Sequence, residues 1–187
     1  MRIIGGAKRG LKLADVGKGD AEAHLRPTSD RVREAIFNLL INGGYGNPVT
    51  GARVLDLFAG TGALGLEALS RGAAKVTFVD DGVTARALLR ENIDRMQAMG
   101  VTDLYRRNAC SLGQNRGAGY TLVFLDPPYA KALGEAALAS ALAGGWLTSG
   151  ALIVWEESKM PTLPDGFTLL DQRIYGDTIV TILAAPE

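Results

Sequence analysis

The chain has 187 residues with 20 Lys+Arg and 20 Asp+Glu, so its formal net charge is zero. With 47% apolar and 21% charged residues it is an ordinary globular composition, which excludes global disorder, and its length fits one domain with a small appendage. No apolar run approaches the roughly 20 residues that cross a bilayer, the start lacks a secretory h-region, and one Cys with one His excludes a disulfide framework and a Cys/His zinc site. A reducing cytoplasm, no membrane and no metal are the expectations.

The zero conceals a polarised chain. Residues 1–12 carry Arg2, Lys8, Arg9 and Lys12 and no acid. Through residue 34 there are eight basic and five acidic residues, a net +3, and the remainder carries −3. Gly5, Gly6 and Gly10 separate short apolar pieces, which predicts a hairpin or extended arm over residues 1–26, the alternative being a frayed terminus. A helix follows Pro27 and Thr28, because Val32, Ala35, Ile36, Leu39 and Leu40 recur at helical spacing; Thr28, Ser29 or Asp30 caps it and Gly43-Gly44 ends it.

Beyond Gly44 strands and helices alternate. Strands are expected at 53–57, 75–80, 104–107, 121–126 and 151–155, and helices at 63–71, 83–99 and 131–143. Segments 167–174 and 178–184 form a closing pair around Gly176-Asp177. Short apolar strands alternating with helices imply an α/β fold, a mostly parallel sheet with helices on both faces and an antiparallel C-terminal edge. Residues 27–187 then form the main domain.

The stretch Val54-Leu55-Asp56-Leu57-Phe58-Ala59-Gly60-Thr61-Gly62-Ala63-Leu64-Gly65 is a strand, a glycine-rich turn and a helix start. Gly60, Gly62 and Gly65 satisfy the dinucleotide fingerprint, and Asp80 falls near the expected distance for a ribose-binding acid. Asp56 separates the readings: an anion at that strand end repels a pyrophosphate and suits a cationic ligand such as S-adenosylmethionine, which carries a sulfonium and an ammonium. Its alternative is an acidic turn residue. Asn108-Ala109 follows the third strand, where Asn108 would meet an adenine edge or serve as a turn residue. Cys110 beside them reads as a small filler.

The strand Leu122–Leu125 leads into Asp126-Pro127-Pro128-Tyr129. Proline ends the ladder and fixes carbonyl directions. Asp126 and the Pro127 carbonyl can accept from a planar exocyclic amine while Tyr129 offers a face for stacking. A rigid loop with a capping Asp is the bland alternative.

Together DLFAGTGALG and DPPY resemble the class I S-adenosylmethionine-dependent methyltransferases acting on exocyclic amines of nucleic-acid bases. With MRIIGGAKRG and RPTSDRVREAIFNLL, nearly the whole chain resembles the RsmD-type 16S rRNA guanine-N2 methyltransferases of bacteria. The resemblance implies a Rossmann-like seven-stranded sheet and transfer of methyl to N2 of a guanine in 16S rRNA, within a small-subunit assembly particle. It implies that Asp56, Phe58, Ala59, Gly60, Gly62, Asp80, Asp81, Asn108 and Ala109 match cofactor positions, that Thr28 lies near the methionine carboxylate with Arg26 and Arg31 close by, and that Asp126, Pro127, Pro128 and Tyr129 hold the target base. In relatives the position of Asp81 is often apolar and packs on adenine. Arg2, Lys8, Arg9, Lys12 and Arg26 are the expected phosphate contacts. A DNA adenine-N6 methyltransferase shares DPPY but needs a target-recognition region for which the chain has no obvious room. A dinucleotide-dependent oxidoreductase explains the glycines but leaves Asp56 and DPPY without a purpose, and intact motifs weigh against a non-catalytic RNA-binding module. Glu156 and Glu157, at a strand end, could border the site, but the favoured expectation is that they face solvent; His24, Trp146 and Tyr175 are expected to be structural. No heptad seam requires a partner, so a monomer is expected.

Overall fold

The computed structural model describes residues 1–15, 28–129 and 131–187. The expected boundary at residues 26 and 27, with Arg26 and His24, lies outside them. The elements run α1 (Asp30–Asn42), β1 (Arg53–Leu57), α2 (Ala63–Ser70), β2 (Lys75–Val79), α3 (Val83–Arg95), β3 (Thr102–Tyr105), β4 (Tyr120–Leu125), α4 (Leu133–Ala143), β5 (Leu147–Glu157), β6 (Thr168–Tyr175) and β7 (Thr178–Ala184). One seven-stranded sheet has the order β3-β2-β1-β4-β5-β7-β6. The pairs from β3 to β5 are parallel, and β7 is antiparallel to both β5 and β6. The expected architecture is present.

Buried apolar side chains divide between the two sheet faces. One cluster joins Ile36, Phe37 and Leu40 of α1, Leu64 and Leu66 of α2 and Leu89 and Ile93 of α3 to Val54, Phe78 and Phe124. The other joins Ala137, Leu138 and Ala141 of α4 to Leu55, Leu125, Ile153 and Trp155. Alternation along each strand sends neighbours to opposite faces, so one strand feeds both clusters. Trp146 is structural as expected: buried, stacked on Tyr120, and donating from Nε1 to the Gly113 carbonyl at 2.8 Å.

Two boundaries differ for clear reasons. Helix α3 stops at Arg95 because Gln97 adopts φ 55°, while Gln97 N donates to Asp94 O and Ala98 N to Ile93 O. Those two bonds are a Schellman end built on a glutamine, so the helix expected over 83–99 ran four residues too far. Strand β5 begins at Leu147 because Leu147 pairs with Tyr120 across a register shift, whereas the expected start at Ala151 followed only the apolar run.

The N-terminal residues form a hairpin. Arg2 bridges Lys12 in antiparallel fashion, Ile3 N donates to Leu11 O, and Leu13 N donates to Met1 O. Ile3 and Leu13 are 1% and 5% exposed and belong to the α1–α3 cluster, so this is no frayed terminus. Buried Glu67 of α2 accepts from Ile4 N at 2.9 Å and Gly5 N at 2.8 Å, and Ser70 Oγ accepts from Lys8 N. At Gly6 (φ +77°) an added Cβ would fall 1.8 Å from the Ser70 carbonyl oxygen, so only glycine permits this approach. Arg2, Lys8, Arg9 and Lys12 remain exposed on the outside of the docked hairpin.

Candidate active site

Strand order reverses between β1 and β4, so the loops leaving their carboxyl ends diverge and open a crevice. Two predicted motifs flank it: the glycine turn after β1 and Asp126-Pro127-Pro128-Tyr129 after β4. Alternation places Asp56, Asp126 and Glu156 on one face, the face that carries α1 and α2.

The turn is tightly wound, with Phe58, Gly60 and Gly62 at φ 58°, 56° and 80°. Ala59 N donates to Val79 O and Gly62 N to Ala59 O. A Cβ on Gly62 would lie 2.2 Å from Leu89 Cδ1. The turn's remaining polarity is set by two carboxyl groups. Asp56, 2% exposed, accepts from Gly65 N at 2.9 Å in the first turn of α2. Asp80, at the end of β2, accepts from Gly60 N and Gly82 N, both at 2.8 Å. Burial pushes the Asp56 carboxyl up to about 8, with the Gly65 amide opposing and the Asp80 charge adding to the rise. Asp80 is also raised by burial, against the pull of its two amide donors.

In a dinucleotide-binding fold the pyrophosphate lies on helix N-terminal amides. Here the Gly65 and Gly60 amides already serve carboxyl groups of the chain. The cradle is acidic where a pyrophosphate would need donors, so it fits an ammonium and ribose hydroxyls and rejects a phosphate. That fit favours S-adenosylmethionine over a nicotinamide dinucleotide.

The third expected cofactor segment is less direct. Exposed Asn108 caps a 3₁₀ turn over Ala109–Ser111, its Oδ1 accepting from Cys110 N at 2.8 Å, so the turn role is present. Ala109 is buried and Asp81 exposed, and Asp81 O accepts from Arg86 Nη1. Cys110 is partly buried, and burial raises its thiol.

Opposite, β4 stops at Leu125 as the prolines require, leaving Asp126 partly buried at its end. Thr28 Oγ1 lies 3.0 Å from Asp126 Oδ2 and 3.0 Å from Glu156 Oε2. Tyr129 OH donates to Glu156 Oε1 at 3.2 Å and lies 3.4 Å from Thr178 Oγ1. A threonine hydroxyl has one proton to donate, so Thr28 either shares it between the two carboxyl oxygens or accepts from one of them when that carboxyl is protonated. Burial and then the Glu156 charge hold Asp126 well above the carboxylate range, opposed by the Thr28 bond. Burial raises the Tyr129 phenol to about 12, so it remains a donor.

One expectation is corrected here. Glu156 and Glu157 do not face solvent: they are 4% and 8% exposed. Glu156 continues the face of Asp126, and Glu157 folds back to accept from Ser158 N and Oγ. Tyr175 packs on the core, in keeping with a structural role, and also borders an open cleft of about 170 Å³ with Thr28, Ser29, Val32, Tyr129, Glu156, Asp177 and Thr178. The missed signal for Glu156 was positional: an acid near the end of a buried parallel strand beside β4 sits at the same level as Asp126.

A parallel sheet with a switch point, an acidic glycine cradle and an acid-Pro-Pro-Tyr turn across the crevice define a Rossmann-like S-adenosylmethionine-dependent methyltransferase. The chain belongs to the family described as Conserved hypothetical protein 95, the RsmD-type methyltransferases, which matches residues 1–184. It is 38% identical over 179 residues to Ribosomal RNA small subunit methyltransferase D of Escherichia coli (strain K12), covering 94% of this chain and 85% of that one. The protein of the same name from Haemophilus influenzae is 36% identical over 182 residues, covering 94% and 89%. The solved structure of yhhF from Escherichia coli superposes with a TM-score of 0.83 at 36% identity, covering 100% of this chain and 98% of that one.

Proposed function

We propose that the chain transfers a methyl group to the exocyclic N2 amine of a guanine in small-subunit rRNA, in the cytoplasm, on rRNA within an assembly particle. The observation that carries this reading is the Asp126–Thr28–Glu156 cluster beside Tyr129, facing the acidic cradle of Asp56 and Asp80.

In this reading the ligand's ammonium favours the ionised form of Asp56, which gives up the proton it holds in the ligand-free chain, and Asp80 takes the ribose hydroxyls, with Phe58, Ala59, Gly60 and Gly62 shaping the cradle. Asn108, Ala109 and Asp81 border the adenine. Bound S-adenosylmethionine supplies a methyl group already activated on a sulfonium. What the protein must add is aim, exclusion of water and a place for one proton. Asp126 and the Pro127 carbonyl accept from the guanine amine and direct its lone pair, Pro128 keeps the segment rigid, and Tyr129 stacks on the extruded base. After transfer the nitrogen sheds one proton to the ionised member of the Asp126–Glu156 pair. Arg2, Lys8, Arg9, Lys12 and Arg26 hold phosphates of the RNA, the first four from the docked hairpin.

The test is a split between binding and transfer. Asp126→Ala should lose at least about 1,000-fold in methyl transfer, the scale of removing a group that aims and deprotonates. Its affinity for S-adenosylhomocysteine should stay within about threefold. Near-normal transfer by this variant would remove the Asp-Pro-Pro-Tyr turn from the chemistry, and tight NADH binding without S-adenosylhomocysteine binding would overturn the cofactor assignment.

A further inference from the structure

Glu156 is the buried acid at the site that base orientation by Asp126 does not explain. It is the penultimate residue of β5, next to β4, on the face and at the level of Asp126. Both carboxyl groups contact the same Thr28 hydroxyl at 3.0 Å, so their oxygens are separated by at most twice that distance, within reach of one base edge. Tyr129 OH fixes the other Glu156 oxygen, and the cleft beside Thr28 and Tyr129 has Glu156 in its wall.

The Watson–Crick edge of guanine presents two adjacent donors, N1–H and the N2 amine. Adenine presents an amine beside an N1 lone pair. Two neighbouring acceptors match the first edge, and in the second one acceptor meets a lone pair. A site built to hydrogen-bond one group rejects an analogue lacking it far more strongly than an apolar pocket can.

Resting on the guanine-N2 reading above, we infer that Glu156 is the specificity-determining residue that accepts from guanine N1–H while Asp126 accepts from the N2 amine. Thr28 holds the two acceptors at the spacing of the base edge, and Tyr129 OH sets the rotamer of Glu156. This makes the enzyme a reader of the N1–H/N2–H pair and not of the amine alone.

The experiment uses a small-subunit rRNA fragment whose modified guanine has first been mapped with the wild-type enzyme. A second copy carries 2-aminopurine there, which keeps the amine at C2 but has a lone pair at N1. Wild type should prefer guanine by about 100-fold or more in kcat/KM. Glu156→Gln, whose amide NH₂ can donate to that lone pair, should bring the two substrates within about tenfold. A loss through general weakening of the site would lower both rates and leave their ratio unchanged, and that result overturns the inference. If Glu156→Gln does not fold, wild type alone decides: equal rates on the two RNAs refute the role of N1–H. Failure of wild type to methylate the guanine RNA at all instead refutes the proposed function, a separate outcome.

Discussion

Replacing Glu67 with alanine should detach the N-terminal hairpin. Glu67 is fully buried and accepts from Ile4 N, Gly5 N and Arg71 Nε at 2.8–2.9 Å, with Arg33 Nε at 3.6 Å. Arg33 is also fully buried; its Nη2 reaches the Arg2 carbonyl and Asp30, and its Nε and Nη1 have no hydrogen-bond partner among the described residues. Alanine strands two amide donors and leaves a buried guanidinium without the carboxylate opposite it. Removing one member of a buried pair costs roughly 3–5 kcal/mol, mostly the penalty of the charge left behind. Because water can enter from the hairpin side, about 4 kcal/mol is expected, or a Tm lower by roughly 8–16 °C for a chain of this size. Urea unfolding measures the loss, and hydrogen exchange should accelerate at Ile4 and Gly5 before the sheet. The double replacement Arg33→Met with Glu67→Leu should recover much of it. A loss below about 1 kcal/mol for Glu67→Ala would refute the view that this pair anchors the hairpin.

Other outcomes follow from the same structure. Asp56 folds with its carboxyl raised to about 8 from an unfolded value of about 3.9, so the native chain holds a proton that the unfolded chain has released between those values. Its contribution is full below about pH 4 and is lost as pH rises toward about 8, by up to about 1.4 kcal/mol per pH unit; Asp56→Asn should flatten the ligand-free stability profile over pH 5–8, and an unchanged profile would contradict the buried, neutral carboxyl. Gly62→Ala forces a side chain onto φ +80° and against Leu89, so about 2–4 kcal/mol of stability and most S-adenosylhomocysteine affinity should go. Neutralising Arg2, Lys8, Arg9 and Lys12 together should weaken RNA binding and reduce its log–log salt slope by about 0.7 for each phosphate contact removed, while an unchanged slope would exclude the hairpin as an RNA grip.

Much of this was legible in local pattern. Strands β1 and β7 and the starts of α2 and α3 fall where apolar alternation and glycines place them, because each is decided within a few residues. The acids Asp56, Asp80 and Asp126 were legible because strand ends facing a glycine turn have few other uses. What escaped depends on partners distant in sequence. Glu67 reads as an ordinary helical acid until Ile4 and Gly5, 63 and 62 residues away, bring their amides to it. Glu156 looked solvent-facing because an acid after an apolar strand usually is; only the approach of Thr28, 128 residues away, makes it part of a buried cluster. The end of α3 escaped because a glutamine took the left-handed position that glycine usually fills. The zero net charge was the least informative number, since it averaged an exposed basic hairpin with an acidic catalytic body.

The most direct test of the account is to supply methyl-labelled S-adenosylmethionine and small ribosomal subunits from a strain lacking the enzyme, then digest the rRNA and map the label. The account predicts one N2-methylguanosine at a single position with the wild-type chain and none with Asp126→Ala. Label on an adenine N6, or no transfer to small-subunit rRNA, would contradict it.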